Sequence, residues 1–203
     1  MRKKELEILL EALLDHPSPS PALEQYTTPA AVASDVLHTA RMSGDIEGRR
    51  VLDLGCGTGV FTIGAALLGA SKVVGVDIDP LSIHTAHINL RRVPADLPGV
   101  AFILGDASST PLPEFDTVIM NPPFGAQRRG ADRPFLERAS QLSGTVYTIA
   151  NAPSRSFTIS FMQRRGFQMV GEKKYIMPLR YRFRFHTREK AEIESLLLIF
   201  KRR

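Results

Sequence analysis

The sequence has little cysteine, no tryptophan and no long apolar run, and each shortage excludes a class of protein. The 203 residues contain one cysteine and no tryptophan. A single cysteine excludes an internal disulfide and is typical of a protein of the reducing cytoplasm. No apolar run approaches the roughly 20 residues that span a bilayer, so we expect no membrane segment. The charged start, Met1-Arg2-Lys3-Lys4-Glu5, is unlike a signal peptide.

The length of the chain indicates one domain. A chain of 203 residues can bury a substantial core, and we expect a single domain spanning 1–203. Residues 1–47 are predicted to form a helical arm, with leucines along one side of a helix at 1–15. Residues 48–203 are predicted to form the core.

The core shows the alternation of a doubly wound sheet. Strand and helix patterns alternate over 49–167. The last two strand patterns, 167–184 and 191–200, have no helix between them and should pair as an antiparallel hairpin. The predicted fold class is α/β, a seven-stranded, doubly wound Rossmann-like sheet whose last strand is antiparallel.

The most informative motif is Asn121-Pro122-Pro123-Phe124, which follows a strand pattern at 116–120. Open α/β sheets bind their ligands at the carboxyl ends of strands. The Asn121 side-chain oxygen and the Pro122 carbonyl could both accept hydrogen bonds from a planar exocyclic amine, such as N6 of adenine. The prolines stiffen the backbone, and Phe124 offers a face on which a base can stack. A structural proline turn is the alternative, which the rest of the chain must decide.

A glycine-rich turn, Gly55-Cys56-Gly57-Thr58-Gly59, follows the strand pattern that ends in Asp53-Leu54. A helix pattern at 60–69 comes next. Glycines at alternate positions let the backbone pass close to a ligand. The spacing differs from the Gly-x-Gly-x-x-Gly of nicotinamide sites and is similar to that of S-adenosylmethionine-dependent methyltransferases. Cys56 is expected to be a small buried residue without a chemical role.

Acidic residues follow the next two predicted strands. Asp77 lies about 24 residues beyond Asp53, the usual place of a partner for ribose hydroxyls. Asp106 repeats this placement after the third strand and could accept a hydrogen bond from an adenine amine. Asp79, before Pro80, is predicted to cap a helix.

The amino-terminal arm contains Gln25-Tyr26-x-Thr28-Pro29, directly before a helix pattern at 30–42. Thr28 is predicted to be the N-cap of that helix, with Pro29 at its first position. Capping explains Thr28 and Pro29 without any ligand. It does not explain Gln25 and Tyr26.

These motifs together resemble the small-subunit ribosomal RNA adenine-N6 methyltransferases of archaea and eukaryotes, part of the methyltransferase-like group. The resemblance rests on 23–29, 53–59, 121–125, 130–136 and 185–186, in the family's order and spacing. It implies a methyltransferase sheet and S-adenosylmethionine as the cofactor.

The resemblance also implies roles for single residues. Asp77 would bind the ribose of the cofactor and Asp106 its adenine, while Asn121 to Phe124 would hold the target base. The full set of expected cofactor contacts is Gln25, Tyr26, Thr28, Asp53, Gly55, Gly57, Gly59, Asp77, Asp106 and Asn121. The expected catalytic residues are Asn121, Pro122, Pro123 and Phe124.

The carboxyl-terminal quarter of the chain is basic. Residues 1–163 hold 14 Lys and Arg against 17 Asp and Glu, whereas residues 164–203 hold 12 against 4. Alternation along a strand would place Arg180, Arg182 and Arg184 on one face, where they could pair with RNA phosphates. A solvated edge strand that blocks aggregation is the alternative.

Three further residues are candidate RNA contacts. Arg128 and Arg129 follow the Asn-Pro-Pro-Phe motif and could contact phosphate, although a solvated loop explains them nearly as well. His186 could contact a phosphate or a base, and packing is an equal alternative. His84 and His87 have no further ligand at metal-binding spacing, so no metal site is predicted.

Relatives identified by the resemblance can work with a small zinc-binding activator subunit that pairs along a sheet edge. The third predicted strand, 100–104, should be near such an edge, and its apolar residues could support the pairing. The expected partners are therefore structured RNA, from the small ribosomal subunit, and this activator. The expected compartment is the cytoplasm.

Three other functions stay open from the sequence. Protein glutamine N5-methyltransferases also use an Asn-Pro-Pro turn, but usually have Tyr in place of Phe124 and a larger amino-terminal recognition domain. A DNA adenine methyltransferase would need a target-recognition domain, which no segment predicts. A non-catalytic RNA-binding assembly factor is the third, against which the intact Asp53, Asp77 and Asn121 argue.

Overall fold

The computed structural model describes residues 1–125, 130–179 and 191–203. Within these ranges helices and strands alternate over 49–167 as the sequence predicts, except that β3 and β4 follow each other without a helix between them. The elements are α1 (Lys3–Glu11), α2 (Ala30–Met42), β1 (Arg50–Leu54), α3 (Val60–Leu67), β2 (Lys72–Asp77), α4 (Pro80–Arg92), β3 (Val100–Leu104), β4 (Phe115–Met120), α5 (Arg133–Leu142), β5 (Ser143–Asn151), α6 (Arg155–Gln163), β6 (Phe167–Leu179) and β7 (Ala191–Arg202).

The strands form one seven-stranded sheet in the order β3-β2-β1-β4-β5-β7-β6. The neighbours among β1 to β5 are parallel, whereas β7 is antiparallel to both β5 and β6. The predicted doubly wound sheet with an antiparallel last strand is therefore confirmed. The chain crosses from one half of the sheet to the other between β3 and β4, which places a topological switch beside β1.

Period-two alternation along the strands divides the apolar residues between two faces of the sheet. In β1, Val51 belongs to one buried cluster, while Leu52 and Leu54 belong to the other. The first cluster packs against α1, α2 and α3, and the second packs against α5 and α6. Both faces are covered, as expected for parallel strands that are apolar almost throughout.

The amino-terminal arm is helical and packs onto the first face of the sheet. Leu6 and Leu10 of α1 are 0% and 3% exposed, so the arm contributes to the core. The predicted helix at 1–15 is too long, because α1 ends at Glu11. An irregular link follows that contains Pro17 and Pro19, and prolines there are incompatible with a continuing helix.

The two last strands form the predicted hairpin. β6 and β7 pair along their length, from Phe167 opposite Arg202 to Leu179 opposite Ala191. The register shifts between Met169 and Gly171, which introduces a bulge into β6. Residues 180–184, which were predicted to continue the first of these strands, lie outside the described residues. No helix in the described ranges is both long enough and apolar enough to cross a membrane.

Candidate active site

The candidate site lies at the carboxyl ends of β1, β2 and β4. Leu54 of β1 is in register with Val76 of β2 and with Met120 of β4, so the residues that follow these strands meet at one edge. A cavity of about 590 Å³ opens there. This volume is typical of small-molecule sites, and the edge is where open α/β sheets bind ligands.

The glycine turn, residues 55–59, forms the floor of this cavity between β1 and α3. Gly55 and Gly57 have φ angles of 76° and 52°, in the left-handed region that favours glycine. A Cβ atom on Gly57 would lie 3.1 Å from Nε2 of His16, and one on Gly55 would lie 3.1 Å from the Phe135 ring. These two positions therefore need glycine both for the backbone angle and for the close approach of side chains.

Asp77 ends β2 and holds the glycine turn while also lining the cavity. Its carboxylate accepts hydrogen bonds from the Gly57 amide at 2.8 Å and from the Asp79 amide at 3.0 Å. An ionised carboxylate at this place can accept further hydrogen bonds from ligand hydroxyls. Asp79 accepts from the amides of Leu81 and Ser82, which confirms its predicted role as the N-cap of α4.

Asp53 lies behind the cavity wall and supports the turn from below. It is 1% exposed, and one of its oxygens accepts both the amide and the hydroxyl hydrogen bonds of Thr62. Burial raises the pKa of Asp53 to about 7, although the hydrogen bonds from Thr62 oppose this shift. The other oxygen is buried without a hydrogen-bond partner.

Asp106 lies after β3 on the far side of the cavity. Its carboxylate accepts hydrogen bonds from the hydroxyl and the amide of Ser108, both at 2.7 Å. These bonds lower the pKa of Asp106, so the side chain is an acceptor at neutral pH. Asp106 and Asp77 both line the cavity, and each can accept a hydrogen bond from a ligand.

The arm crosses the cavity and is fastened to the start of α4. The Gln25 amide donates to Asp79 at 2.8 Å and accepts from the Ser20 amide at 2.7 Å. His16 is 8% exposed, and its Nδ1 lies 2.9 Å from the Ser82 hydroxyl. Burial lowers the pKa of His16, so the ring is neutral at pH 7. Gln25 thus uses both ends of its amide to hold the arm in place.

Thr28 is not the helix cap that the sequence predicts. The N-cap residue of α2 is Pro29, and no side chain caps this helix. The Pro29 carbonyl accepts the amides of Val32 and Ala33 instead. The Thr28 hydroxyl is 2.9 Å from Nδ2 of Asn121, which donates to it, and this contact takes the place of a cap.

The proline turn, residues 121–125, follows β4 and forms the wall opposite Asp77. Asn121 and Pro123 line the main cavity. The Asn121 side-chain oxygen is buried without a hydrogen-bond partner, and the buried Tyr26 hydroxyl lies beside the Asn121 side chain. Burial raises the pKa of Tyr26 well above its usual value, so the hydroxyl keeps its proton. Unpaired buried polar atoms are costly, and a ligand in the cavity could satisfy them.

Pro122 and Phe124 face a second, much smaller cavity behind the proline turn, together with Thr148 and Asn151. The Phe124 ring lies 5.5 Å from the Tyr26 ring, tilted by 49°. The side chain of Asn151 donates to the Phe124 carbonyl at 3.3 Å. Phe124 is therefore packed between the arm and the core in this structure.

The structure brings nine of the thirteen predicted cofactor and catalytic residues to one cavity. Its wall contains Gln25, Tyr26, Thr28, Gly55, Gly57, Asp77, Asp106, Asn121 and Pro123. Asp53 is buried behind this wall, and Gly59 is the N-cap residue of α3. The predicted RNA contacts lie outside the described residues: Arg128, Arg129, Arg180, Arg182, Arg184 and His186. No cluster of three or more His, Cys, Asp or Glu in the described ranges could hold a metal ion.

Among the cavity-lining residues to which the sequence analysis gave no role are His16, Glu24 and Phe135. His16 begins a proline-rich link, and nothing in its local pattern places it over the glycine turn. Glu24 precedes Gln25 in the arm, and its carboxylate accepts the Gly125 amide at 3.1 Å. Glu24 and Phe135 both lie in segments that carry the resemblance, 23–29 and 130–136, and that was the available signal for them.

Comparison with known proteins gives a consistent set of relatives. Residues 34–121 match the family model described as Ribosomal protein L11 methyltransferase (PrmA). The rRNA N(6)-adenosine-methyltransferase METTL5 of Danio rerio is 34% identical over 206 residues, which cover 96% of each chain. The uncharacterized protein MJ0284 of Methanocaldococcus jannaschii is 35% identical, over 97% of this chain and 93% of that protein.

A solved structure is also closely similar. The crystal structure of PH1948, a candidate RNA methyltransferase from Pyrococcus horikoshii, matches with a TM-score of 0.91 and 39% sequence identity. The match covers 100% of this chain and 98% of that chain. The arm, the sheet and the carboxyl-terminal hairpin are therefore shared as one arrangement.

Proposed function

The chain belongs to the family of rRNA N(6)-adenosine methyltransferases that includes METTL5, and from this premise we propose its substrate. It transfers the methyl group of S-adenosylmethionine to N6 of an unpaired adenine in small-subunit ribosomal RNA. The observation that carries this proposal is the buried side-chain oxygen of Asn121, which has no hydrogen-bond partner and belongs to a residue of the cavity wall. An exocyclic amine donates hydrogen bonds, and this oxygen accepts them.

S-adenosylmethionine fits the residues of the cavity. It would supply a methyl carbon bonded to a positively charged sulfur; a nucleophile that attacks this carbon breaks the carbon–sulfur bond, and the sulfur leaves as the neutral thioether of S-adenosylhomocysteine. Asp77 would accept from the ribose hydroxyls and Asp106 from the adenine amine, while Gly55 and Gly57 leave space for close approach of the backbone. The arm residues Gln25, Tyr26 and Thr28, together with Asp53 and Gly59 behind the wall, would complete the cofactor site. Gln25 would act by holding the arm, because both ends of its amide are already bonded.

The proline turn would hold the target amine. Asn121 Oδ1 and the Pro122 carbonyl would each accept a hydrogen bond from one N–H of the amine. These hydrogen bonds favour a pyramidal nitrogen with an available lone pair. The adjacent prolines limit the motion of the backbone that carries these acceptors. Phe124 offers a stacking surface for the base. The methylated amine is strongly acidic, and since an amide cannot take up its proton, the proton leaves to water.

The target adenine must be unpaired or flipped out of a helix, because its amine is unreachable inside a stack. The basic carboxyl-terminal quarter would bind the surrounding RNA through Arg180, Arg182, Arg184 and His186, together with Arg128 and Arg129, which follow the proline turn in the sequence. Replacing Arg180, Arg182 and Arg184 together with alanine should weaken RNA binding and flatten its dependence on salt. Each lost phosphate contact should reduce the log–log salt slope by roughly 0.7–0.9.

This RNA-contact proposal is checked by titrating a fluorescent structured RNA at several salt concentrations. Cofactor affinity of the triple variant serves as the control and should equal that of the wild type. An unaltered salt slope would move the RNA-binding surface elsewhere on the chain. Arg128 and Arg129 would then be the next residues to replace.

The experiment that tests the function offers the protein three classes of substrate. Total RNA, DNA and protein are each incubated with cofactor labelled in its methyl group. We expect label in RNA, and loss of that label with Asn121→Ala. Label in protein would support a glutamine methyltransferase, and label in DNA an adenine methyltransferase of DNA. Cofactor binding without label in any class would support a non-catalytic assembly factor.

A partner subunit is proposed for the free edge of the sheet. β3 is the end strand of the sheet and contains no charged residue. Leu104 at its end is 56% exposed. A small zinc-binding activator could add a strand along this edge, through backbone hydrogen bonds and apolar contacts. A chain purified alone should then be poorly soluble or poorly active, and a stable, fully active monomer would exclude an obligatory partner.

Residues 1–203 would function as one domain, because the arm contributes both to the core and to the cavity wall. The compartment we propose is the cytoplasm. The lone cysteine, Cys56, is buried and free, which suits a reducing environment.

A further inference from the structure

The arm holds both ends of the proline turn. At its start, Asn121 Nδ2 donates to the Thr28 hydroxyl at 2.9 Å. At its end, the Gly125 amide donates to the Glu24 carboxylate at 3.1 Å. Both acceptors belong to the arm loop, which we define as residues 24–28. Between these ends the Asn151 side chain donates to the Phe124 carbonyl at 3.3 Å, and the Phe124 ring packs against the apolar core.

The backbone of Glu24 is held in an unfavourable conformation. Its φ angle is 51°, and among the described residues it is the one position other than glycine with a positive φ. Residues with a Cβ atom rarely adopt this left-handed region, and those that do are concentrated at functional sites. Glycine would fit the backbone better. A glutamate at a position that favours glycine indicates that its side chain has a role, and this side chain accepts a hydrogen bond from the Gly125 amide.

Thr28 likewise contacts the proline turn and not the helix that follows it. The sequence predicts that it caps α2, but the N-cap residue is Pro29, which directly follows it. Here the hydroxyl instead accepts from Asn121, and the helix has no side-chain cap. The residue is 6% exposed, so water competes little for this hydrogen bond.

These contacts have a direct consequence for the amide of Asn121. Its nitrogen end is occupied by Thr28, while its oxygen end is buried without a partner. The oxygen is the end that can accept hydrogen bonds from an amine. Rotation of the side chain, or a shift of the turn, would move this acceptor. Displacements of about 1 Å from productive geometry can cost about 10²-fold in rate.

We propose that Glu24 and Thr28 are positioning residues that fix the proline turn for the reaction. The proposal rests on the proposed function, because it assigns to Asn121 the task of holding the target amine. The arm then has a second task besides covering the cofactor. It is required for the geometry of the acceptor that the target base meets.

A positioning role and a cofactor-contact role predict different losses. If Thr28 and Glu24 act only on the cofactor, replacing them should weaken cofactor binding, and saturating cofactor should restore the rate. If they position the proline turn, the single-turnover rate should stay low when both cofactor and RNA are saturating. The comparison therefore requires affinity and rate to be measured separately for each variant.

The chain offers matched variants at both positions. Thr28→Val removes the hydroxyl and keeps the shape, whereas Thr28→Ser keeps the hydroxyl. Glu24→Gly removes the carboxylate and also relieves the positive φ, whereas Glu24→Gln keeps an acceptor oxygen. We expect Thr28→Val and Glu24→Gly to lower the saturated single-turnover rate by about 10–100-fold. Thr28→Ser and Glu24→Gln should stay within about threefold of the wild type, because both retain the acceptor.

A second readout does not depend on catalysis. Nuclear magnetic resonance can follow the side-chain amide protons of Asn121 and the backbone amide proton of Gly125 in the folded protein. Thr28→Val should shift the first signal, and Glu24→Gly the second, while the Ser and Gln variants leave both near their wild-type positions. Thermal unfolding verifies that each variant is folded.

The outcomes separate this proposal from the function itself. If the wild type methylates no adenine in RNA, the proposed function fails, and the resonance shifts still decide whether the arm loop holds the turn. Wild-type rates in Thr28→Val and Glu24→Gly at saturating cofactor would overturn the positioning role. Unchanged resonances in these two variants would overturn it as well, whatever the substrate is.

Discussion

The two sides of the cavity are held together in different ways. On the glycine-turn side the contacts are local, since Asp53 and Thr62 are 9 residues apart and Gly57 and Asp77 are 20 apart. On the proline-turn side they are long-range, because 93 residues separate Thr28 from Asn121 and 101 separate Glu24 from Gly125. The hydrogen bonds that hold the glycine turn therefore form within one supersecondary unit. The proline turn is held by the arm, which must first pack against the sheet.

This difference indicates that the two turns contribute to different steps of the proposed reaction. The glycine turn, Asp53 and Asp77 lie close together in the sequence. The family model that matches residues 34–121 contains all of them and ends at Asn121. The proline turn begins where that match ends. Changes on one side should therefore affect cofactor affinity, and changes on the other should affect the rate, with little overlap.

The largest expected effect is that of Asn121→Ala. The variant loses the side-chain acceptor and keeps the Pro122 carbonyl, so the amine has one acceptor in place of two. We expect the single-turnover rate at saturating cofactor to fall by about 10²–10³-fold, as for other groups that bind charge developing in a transition state. Cofactor affinity, measured by calorimetry, should fall far less than the rate. An unchanged rate would make the proline turn a structural feature.

Asp77→Ala should show the opposite pattern. Loss of hydrogen bonds to a charged group should weaken cofactor binding by about 1–3 kcal/mol. Asp77→Asn is the matched control, because it keeps one acceptor oxygen and should lose less. Calorimetric titration of the cofactor measures both variants. If a folded Asp77→Ala binds cofactor as tightly as the wild type, Asp77 is not a cofactor ligand.

Phe124→Ala should weaken capture of the base. Stacking on an aromatic ring contributes about 1–3 kcal/mol per base, and we expect the low end of this range. The reason is that the Tyr26 ring lies 5.5 Å away and still offers an aromatic face. Binding of a target RNA by the cofactor-saturated variant measures the loss. A decrease in rate with unchanged RNA affinity would assign Phe124 to orientation of the base instead.

The smallest effect concerns the attachment of the arm to the hairpin. Asp35 of α2 accepts hydrogen bonds from Lys3 at 2.9 Å and Tyr175 at 2.6 Å, and it pairs with Lys173. Burial alone would raise the pKa of Asp35, but these hydrogen bonds outweigh it and lower the pKa from 3.8 to about 2. Asp35 therefore stabilises the folded state above its unfolded pKa, and this contribution disappears as the pH falls through about 2.

After allowance for solvent screening, we expect Asp35 to contribute about 1–2 kcal/mol to the free energy of unfolding at pH 7. Asp35→Asn should be less stable than the wild type by this amount at pH 7, and the difference between the two proteins should shrink towards zero as the pH falls from about 4 to about 2. Urea unfolding at several pH values measures the difference between the two proteins. A constant difference across this pH range would show that the charge of Asp35 does not stabilise the arm.

The same contrast explains what the sequence could predict. The glycine turn, Asp77 and the helix cap at Asp79 were identified because each depends on neighbours close in sequence. Asn121 was found because its motif follows a strand. His16 and Glu24 were missed, and Thr28 was wrongly assigned as a cap, because their partners lie on other elements. Local pattern carries no information about which distant atom a hydroxyl or carboxylate will contact.

The extent of α1 was overestimated for a similar reason. Apolar spacing alone predicted a helix to residue 15, but the helix ends at Glu11. Leu6 and Leu10 are buried against the core, whereas Leu14 is 38% exposed. The backbone amide of Leu14 is bonded to the side chain of Asn89 on α4, at 2.7 Å. A tertiary contact therefore replaces the last helical turn.

The central claim is that the methyl group reaches N6 of an adenine held at the proline turn. The most direct measurement is mass spectrometry of the nucleosides in small-subunit ribosomal RNA, after incubation with the protein and cofactor labelled in its methyl group. We predict that the label is found as N6-methyladenosine, and that it is absent from a parallel reaction with Asn121→Ala. Label on a ribose oxygen, on a ring nitrogen or on a base other than adenine would contradict this account of the site.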